Sequence, residues 1–145
     1  MDFKYTTTNI SVLEYRITEK DNGFSIPGDA CRVGGSINLY FNSDKEEVVF
    51  HYVVRYIDKR NEEELMFFHS KMVFRILDFN NVLGRIKGEI TVTEPFLVNF
   101  VNIVTGAARG MLAMLNKGTY LNNIYLPINN NLEVLDALRN QLFKK

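Results

Sequence analysis

Apolar and polar positions alternate along much of the first half of the chain, and then the period changes. Ile10 to Thr18 alternates loosely, with Ser11, Leu13, Tyr15 and Ile17 against Val12, Glu14 and Arg16, and predicts a strand. Lys20-Asp21-Asn22-Gly23, Pro27-Gly28 and Gly34-Gly35 then mark a connection with several turns. Ser36 to Phe41 alternates again, with Ile37, Leu39 and Phe41 on one side. Two long β-branched and aromatic runs follow, Glu47 to Asp58 and Leu65 to Asp78. The polar tip Lys59-Arg60-Asn61-Glu62-Glu63 separates them, a hairpin pattern.

The hairpin predicts its own register. With the turn centred near Asn61, Val53 stands opposite His69 and His51 opposite Lys71, and opposed residues share a sheet face. One face then holds Val48, Phe50, Tyr52, Val54 and Tyr56 with Met66, Phe68, Met72 and Phe74, and is core. The other holds Val49, His51, Val53, Arg55 and Ile57 with Leu65, Phe67, His69, Lys71, Val73 and Arg75, and is mixed and basic. A one-residue slip would bury charges, so the pattern itself supports this pairing.

Beyond the hairpin the period is helical. Thr93-Glu94-Pro95 offers a cap, a first-turn acid and a Pro at the start of a helix. That helix is expected to run to about Asn116, where Lys117-Gly118 stops it. Asn99, Asn102, Gly106 and Arg109 form a weakly polar stripe on it, and Phe96, Phe100, Ile103, Ala107, Met111 and Met114 an apolar one. Thr119 to Asn131 reads as extended. A last helix follows, with Leu132, Leu135, Leu138 and Leu142 on one side and Lys144-Lys145 at its end. The β-β-β-β-α-α order predicts an α+β fold: a four-stranded antiparallel sheet with the long helix and the C-terminal helix packed on one face.

Length and charge narrow the function. The chain has 145 residues and 46% hydrophobic content, enough for a single domain over 1-145 with a real core. Its 17 Lys+Arg balance 17 Asp+Glu, so no cation excess favours nucleic acid. Phe96 to Leu115 is apolar enough to suggest a membrane span. However, Arg109 alone would cost roughly 2.5–3.5 kcal/mol in lipid, so a core or interface helix is expected and no membrane insertion. A single Cys31 and an N-terminus without a signal-peptide pattern predict a cytoplasmic location.

Candidate chemistry is sparse. His51 and His69 share a face but lie diagonally. A two-histidine metal site or an acid–base pair is conceivable there, but two surface histidines are the expected reading. Cys31 beside Arg32 is expected to be a plain loop thiol, and Glu62-Glu63-Glu64 a solvated hairpin tip. Gly23 and Gly34-Gly35 precede no Gly-Lys-Ser/Thr and make no phosphate loop. Arg109 is expected to pair across an interface or reach water along its stem. No catalytic residue, metal or cofactor is predicted, and the chain is not expected to be an enzyme. What stands out instead is apolar surface in excess of what one small α+β layer can bury, which points to self-association, to greasy ligands, or to both.

Arg109-Gly110-Met111-Leu112-Ala113-Met114-Leu115-Asn116-Lys117-Gly118-Thr119-Tyr120, followed by Leu126-Pro127-Ile128-Asn129, resembles the helix–loop segment of the SecB family, the bacterial protein-export chaperones. The order of strand, Pro-containing crossover (Phe24-Ser25-Ile26-Pro27), short strand and long hairpin resembles it more weakly. The likeness runs from about Ile10 to Leu138, and only Lys117–Asn129 is motif-like. It implies a cytoplasmic, ATP-independent holdase that binds unfolded client polypeptides for protein transport, assembled as a dimer of dimers. Carried onto this chain, it implies an apolar client groove at Phe24, Ile26, Tyr120, Leu121, Ile124, Tyr125 and Leu126. Export members present carboxylates to the translocation motor on the outer sheet face. Here that face reads Arg55, His69, Lys71 and Arg75, a possible partner surface of the opposite sign, so motor docking is not carried over. A SecB-like chaperone with another duty, such as guarding an antitoxin, is a variant. An α+β carrier of small apolar ligands, or an enzyme with a pocket between sheet and helices, is the alternative. A purely structural oligomer is a third.

Overall fold

In the computed structural model, which describes residues 3–127 and 130–142, the alternating segments are four antiparallel strands. They are β1 (Tyr5–Ile17), β2 (Cys31–Asn42), β3 (Glu47–Asp58) and β4 (Glu63–Ile76), in the spatial order β1-β4-β3-β2. The expected hairpin register holds: Val53 pairs with His69 and His51 with Lys71. The turn is closed by the Asn61 and Glu62 N–H groups donating to the Asp58 carbonyl. Val48, Phe50, Tyr52, Val54, Tyr56, Met66, Phe68, Met72 and Phe74 are buried, as a period of two with one core face requires. Leu65 departs from its expected place. A register shift between Tyr56 and Ile57 sets Ile57 opposite Glu64, and Leu65 is fully buried instead of lying on the outer face.

The same device corrects β1. A shift between Val12 and Glu14 leaves Leu13 unpaired, so Ser11, Glu14 and Arg16 oppose the outer-face residues Lys71, His69 and Phe67. Val12, Tyr15 and Ile17 oppose Ser70, Phe68 and Met66 on the inner face. Strict alternation mixed these two sets because a bulge consumes a residue without changing the composition.

The long helix is α2 (Glu94–Leu115); before it lie a short turn of helix, α1 (Phe79–Val82), and the hairpin β5 (Gly84–Ile86) and β6 (Glu89–Thr91). Thr93 caps α2 through its hydroxyl, which accepts from the Phe96 N–H, and Gly118 takes φ 82 just beyond its end. By length and composition α2 could cross a membrane. Here it buries Phe96, Leu97, Phe100, Val101, Val104, Thr105, Ala108 and Leu112 against the sheet. The expected apolar stripe is therefore rotated. Phe96 and Phe100 are core, whereas Ile103, Ala107 and Met111 are only half-buried and Met114 is exposed. The last helix, α3 (Asn130–Leu142), buries Val134, Leu135 and Leu138 and leaves Leu132 exposed, so Val134 takes the place expected for Leu132. Ile128, Asn129, Lys144 and Lys145 lie outside the described residues.

Two sets of contacts hold the helical layer to the sheet. At one end Phe100 meets Phe74 at 4.8 Å, Phe96 at 4.7 Å, Phe50 at 5.6 Å and Tyr5 at 5.0 Å between ring centroids. At the other end side chains grip the loop after α2. Tyr15 Oη donates to Asn116 Oδ1 (2.7 Å), Tyr56 Oη to the Ile124 carbonyl (3.2 Å) and Arg109 Nε to the Leu126 carbonyl (3.0 Å). Tyr120 Oη reaches back from the loop to the Thr18 carbonyl (2.5 Å). Arg109 thus satisfies a loop carbonyl within its own chain, where water or an interface partner was expected.

Phe100→Ala, which empties the centre of the aromatic cluster, is expected to cost about 3–5 kcal/mol. Urea unfolding at an unchanged m-value measures it, and a loss below about 1 kcal/mol would contradict this packing. Burial, with Glu63 nearby, pushes the Tyr120 phenol up to about 12 from 10.0. Its neutral form is favoured in the folded state, so its contribution is complete below pH 10 and disappears as pH rises through about 12. Tyr120→Phe should flatten the alkaline loss of stability and speed amide exchange over residues 116–127. An unchanged alkaline slope would contradict the assignment.

Candidate functional site

The connection from β1 to β2 must travel from one sheet edge to the other, because β4 and β3 lie between those strands. It does so along the end of the β3–β4 hairpin. The Thr18 N–H donates to the Leu65 carbonyl, and the Ala30 carbonyl accepts from the Lys59 N–H. The loop after α2 arrives at the same end, and the two segments meet where the Phe24 ring stands edge-on to Tyr120 at 5.0 Å.

Of the seven groove candidates, Ile26, Leu121, Ile124 and Leu126 are buried within this one chain. Phe24 and Tyr120 are half-buried, and Tyr125 is exposed at 60%. The accessible apolar rim here is therefore Phe24, Tyr120 and Tyr125. The other four belong to the buried core, the floor against which Phe24 and Tyr120 pack, while Tyr125 is exposed on the loop.

The outer sheet face is built in rows read directly from the pairing. Arg16, Phe67, Arg55 and Gly34 form one row, Glu14, His69, Val53 and Ser36 the next, then Ser11, Lys71, His51 and Asn38. Asn9, Val73, Val49 and Tyr40 follow, and Thr6, Arg75, Glu47 and Asn42 complete the set. The guanidinium groups of Arg16 and Arg55 lie 4.6 Å and 5.0 Å from the Phe67 ring centroid. Arg16 pairs with Glu14, and Arg55 with Glu64 at 3.0 Å. The expected basic character is thus moderated, because β1 and the hairpin ends bring in Glu14, Glu47 and Glu64. Lys71 and Arg75 are the cations of this face that no carboxylate approaches within ion-pair distance among the described residues. At the acidic tip Glu62 is exposed, as expected, and pairs with Arg32 at 2.8 Å, whereas Glu63, paired with Lys20, and Glu64 are half-buried.

His51 and His69 are brought together rather than merely placed on one face. His51 Nδ1 and His69 Nε2 are 2.9 Å apart, and the Tyr40 ring stands edge-on to His51 at 5.6 Å. Burial, then His69 and Lys71, hold the His51 pKa below its ordinary value. Cross-strand diagonal spacing was the available signal, and side-chain reach closed the gap. Cys31 is buried, and that burial raises its pKa, the opposite of an activated thiol.

No protein-family model and no curated protein sequence matches the chain. Solved structures do. The SecB-like chaperone Rv1957 of Mycobacterium tuberculosis, determined in complex with a ChAD peptide from the Rv1956 HigA1 antitoxin, shares 12% identity with this chain at a TM-score of 0.53. The match covers 86% of this chain and 90% of that one. A protein of unknown function from Streptococcus agalactiae shares 10% identity over 88% of this chain and 98% of its own, at a TM-score of 0.46, too loose to use. At these identities what is shared with the chaperone is a fold, at long distance.

Proposed function

We propose that the chain is an ATP-independent holdase of SecB-like type, which keeps unfolded polypeptides from aggregating. The observation that carries this reading is the fold, shared over most of both chains with a chaperone whose structure holds a peptide. Two local features support it. The connection and the post-α2 loop meet where Phe24 stands against Tyr120, with Tyr125 exposed further along the loop, and such an apolar rim buries client side chains at roughly 25 cal/mol per Å² without reading sequence. The reading needs no nucleotide, metal or acid–base pair, and in it the protein is not an enzyme and works in the cytoplasm.

Self-association belongs to the same proposal. β1 is an edge strand, and its inner-face residues Tyr5, Ile10 and Val12 are 40%, 53% and 40% exposed. Leu13, at the bulge, is 50% exposed. An apolar edge of this kind invites pairing with another copy, and a dimer of dimers is the assembly the reading favours. The nearly balanced outer face supports a dedicated client rather than service to the export motor. Two clefts among the described residues lend the carrier alternative no support. Those of about 440 Å³ at Tyr15–Thr18 and 350 Å³ at Arg75–Leu77 open to solvent and include Arg16, Glu64, Glu46 and Arg75 in their walls.

The purified chain should suppress aggregation of a chemically unfolded client at stoichiometric amounts without ATP. Unchanged light scattering would end the holdase reading. Phe24→Asp with Tyr125→Asp changes rim positions and spares the buried floor, so it should lose most of the protection and keep the oligomeric state. Protection equal to that of the parent would move the client site elsewhere on the molecule.

A further inference from the structure

The outer sheet face carries a pair of donors that the holdase reading does not use. We propose that His51 and His69 form a bidentate imidazole site for an exchangeable divalent transition ion, with Ni²⁺ and Cu²⁺ favoured over Zn²⁺. Two nitrogens roughly 2.0–2.1 Å from one ion and at right angles to each other stand about 2.9 Å apart, whereas a tetrahedral angle would spread them to about 3.4 Å. The observed separation of Nδ1 and Nε2 is 2.9 Å, with the rings tilted by 43°. That spacing suits the cis positions of a tetragonal or octahedral ion, and imidazole is a ligand such ions accept.

The pair is prepared for this in two ways. It sits on paired strands of one sheet, β3 and β4, so the backbone pairing fixes where the two side chains begin, and their contact sets the nitrogen separation before any ion arrives. The Tyr40 ring braces His51 from β2. In the ion-free pair one facing nitrogen carries the hydrogen it donates to the other. Binding needs both lone pairs, so that hydrogen moves to the outward nitrogen of its own ring. His51 then carries it on Nε2 and His69 on Nδ1, and no net proton leaves.

The surroundings set the strength. Lys71 lies directly opposite His51 and opposes a dication, while Glu14 lies opposite His69 but is engaged with Arg16. Asn38, opposite His51 on β2, is neutral. Among the described residues no third histidine, cysteine or carboxylate completes a closed set, so water fills the remaining positions and the ion exchanges freely.

Calorimetric titration of Ni²⁺ into the full chain at pH 7.5 should show one ion per chain. His51→Gln and His69→Gln should each weaken binding at least tenfold, and Lys71→Ala should tighten it. Absence of saturable Ni²⁺ binding, or either Gln variant binding like the parent, overturns the site. The unmutated chain supplies a check independent of variant folding. With one equivalent of Cu²⁺ its electron paramagnetic resonance spectrum should show coupling to two imidazole nitrogens. Coupling to one or none overturns the proposal.

Discussion

The register of β3 against β4 is the constraint on which the rest of the structure depends. These are the two central strands, and apart from the bulge at Leu65 the residues on them are committed to one face by a period of two. Fixing Val53 against His69 places Phe50, Tyr52, Val54, Phe68, Met72 and Phe74 under the helices, and it sets His51, His69 and Lys71 on the outside. A slip by one residue would send Lys71 and Arg75 into the aromatic cluster around Phe100, with an unpaired buried charge at each. The hairpin thus determines both the core and the composition of the outer face.

The helical layer is held to this sheet differently at its two ends. Near Phe100 the contact is apolar and insensitive to pH. At the other end it is polar at the point of attachment. Phenols of Tyr15 and Tyr56 from the sheet and the Arg109 guanidinium from α2 each satisfy an oxygen of the loop or of Asn116 before it, and the Tyr120 phenol ties the loop to the Thr18 carbonyl of the connection. A loop after a helix carries carbonyls without intrahelical partners, and burying Leu121 and Leu126 beneath it would otherwise strand them. The aromatic side chains supply both the apolar body and the hydroxyl, so apolar burial and carbonyl satisfaction come from the same residues.

Much of this was legible in the chain, and what was not has physical reasons. The hairpin, the cap at Thr93, the stop at Gly118 and the α+β order follow from period, capping and turn chemistry, all local. The bulges at Leu13 and Leu65 were not legible, because an unpaired residue leaves no compositional mark. β5 and β6 escaped because three-residue strands are too short for periodicity; Lys87-Gly88 between Ile86 and Ile90 was their one signal. At the candidate site the meeting of Phe24 with Tyr120 accords with the expected association of crossover and loop. The burial of Ile26, Leu121, Ile124 and Leu126 depends on tertiary packing that no local pattern encodes. The carboxylate beside Arg16 was missed because a face read from one hairpin omits what β1 contributes, and Glu64 beside Arg55 because it was read with the hairpin tip.

The excess of apolar surface can now be located. The helices cover β4, β3 and β2, whose inner-face residues are mostly buried, but they do not extend over the whole of β1. Tyr15 and Ile17, near the strapped loop, are half-buried, whereas Ile10 and Val12 are left open along the strand's middle. A longer helical layer would have buried them, and a more polar strand would have made burial unnecessary. The sequence does neither: it keeps branched side chains on the inner face of a strand whose outer edge pairs with no other strand among the described residues. Backbone pairing and apolar burial are therefore available at the same edge, and one added strand could satisfy both. Neutral net charge favours this as well, because two identical chains approaching edge to edge meet little long-range repulsion.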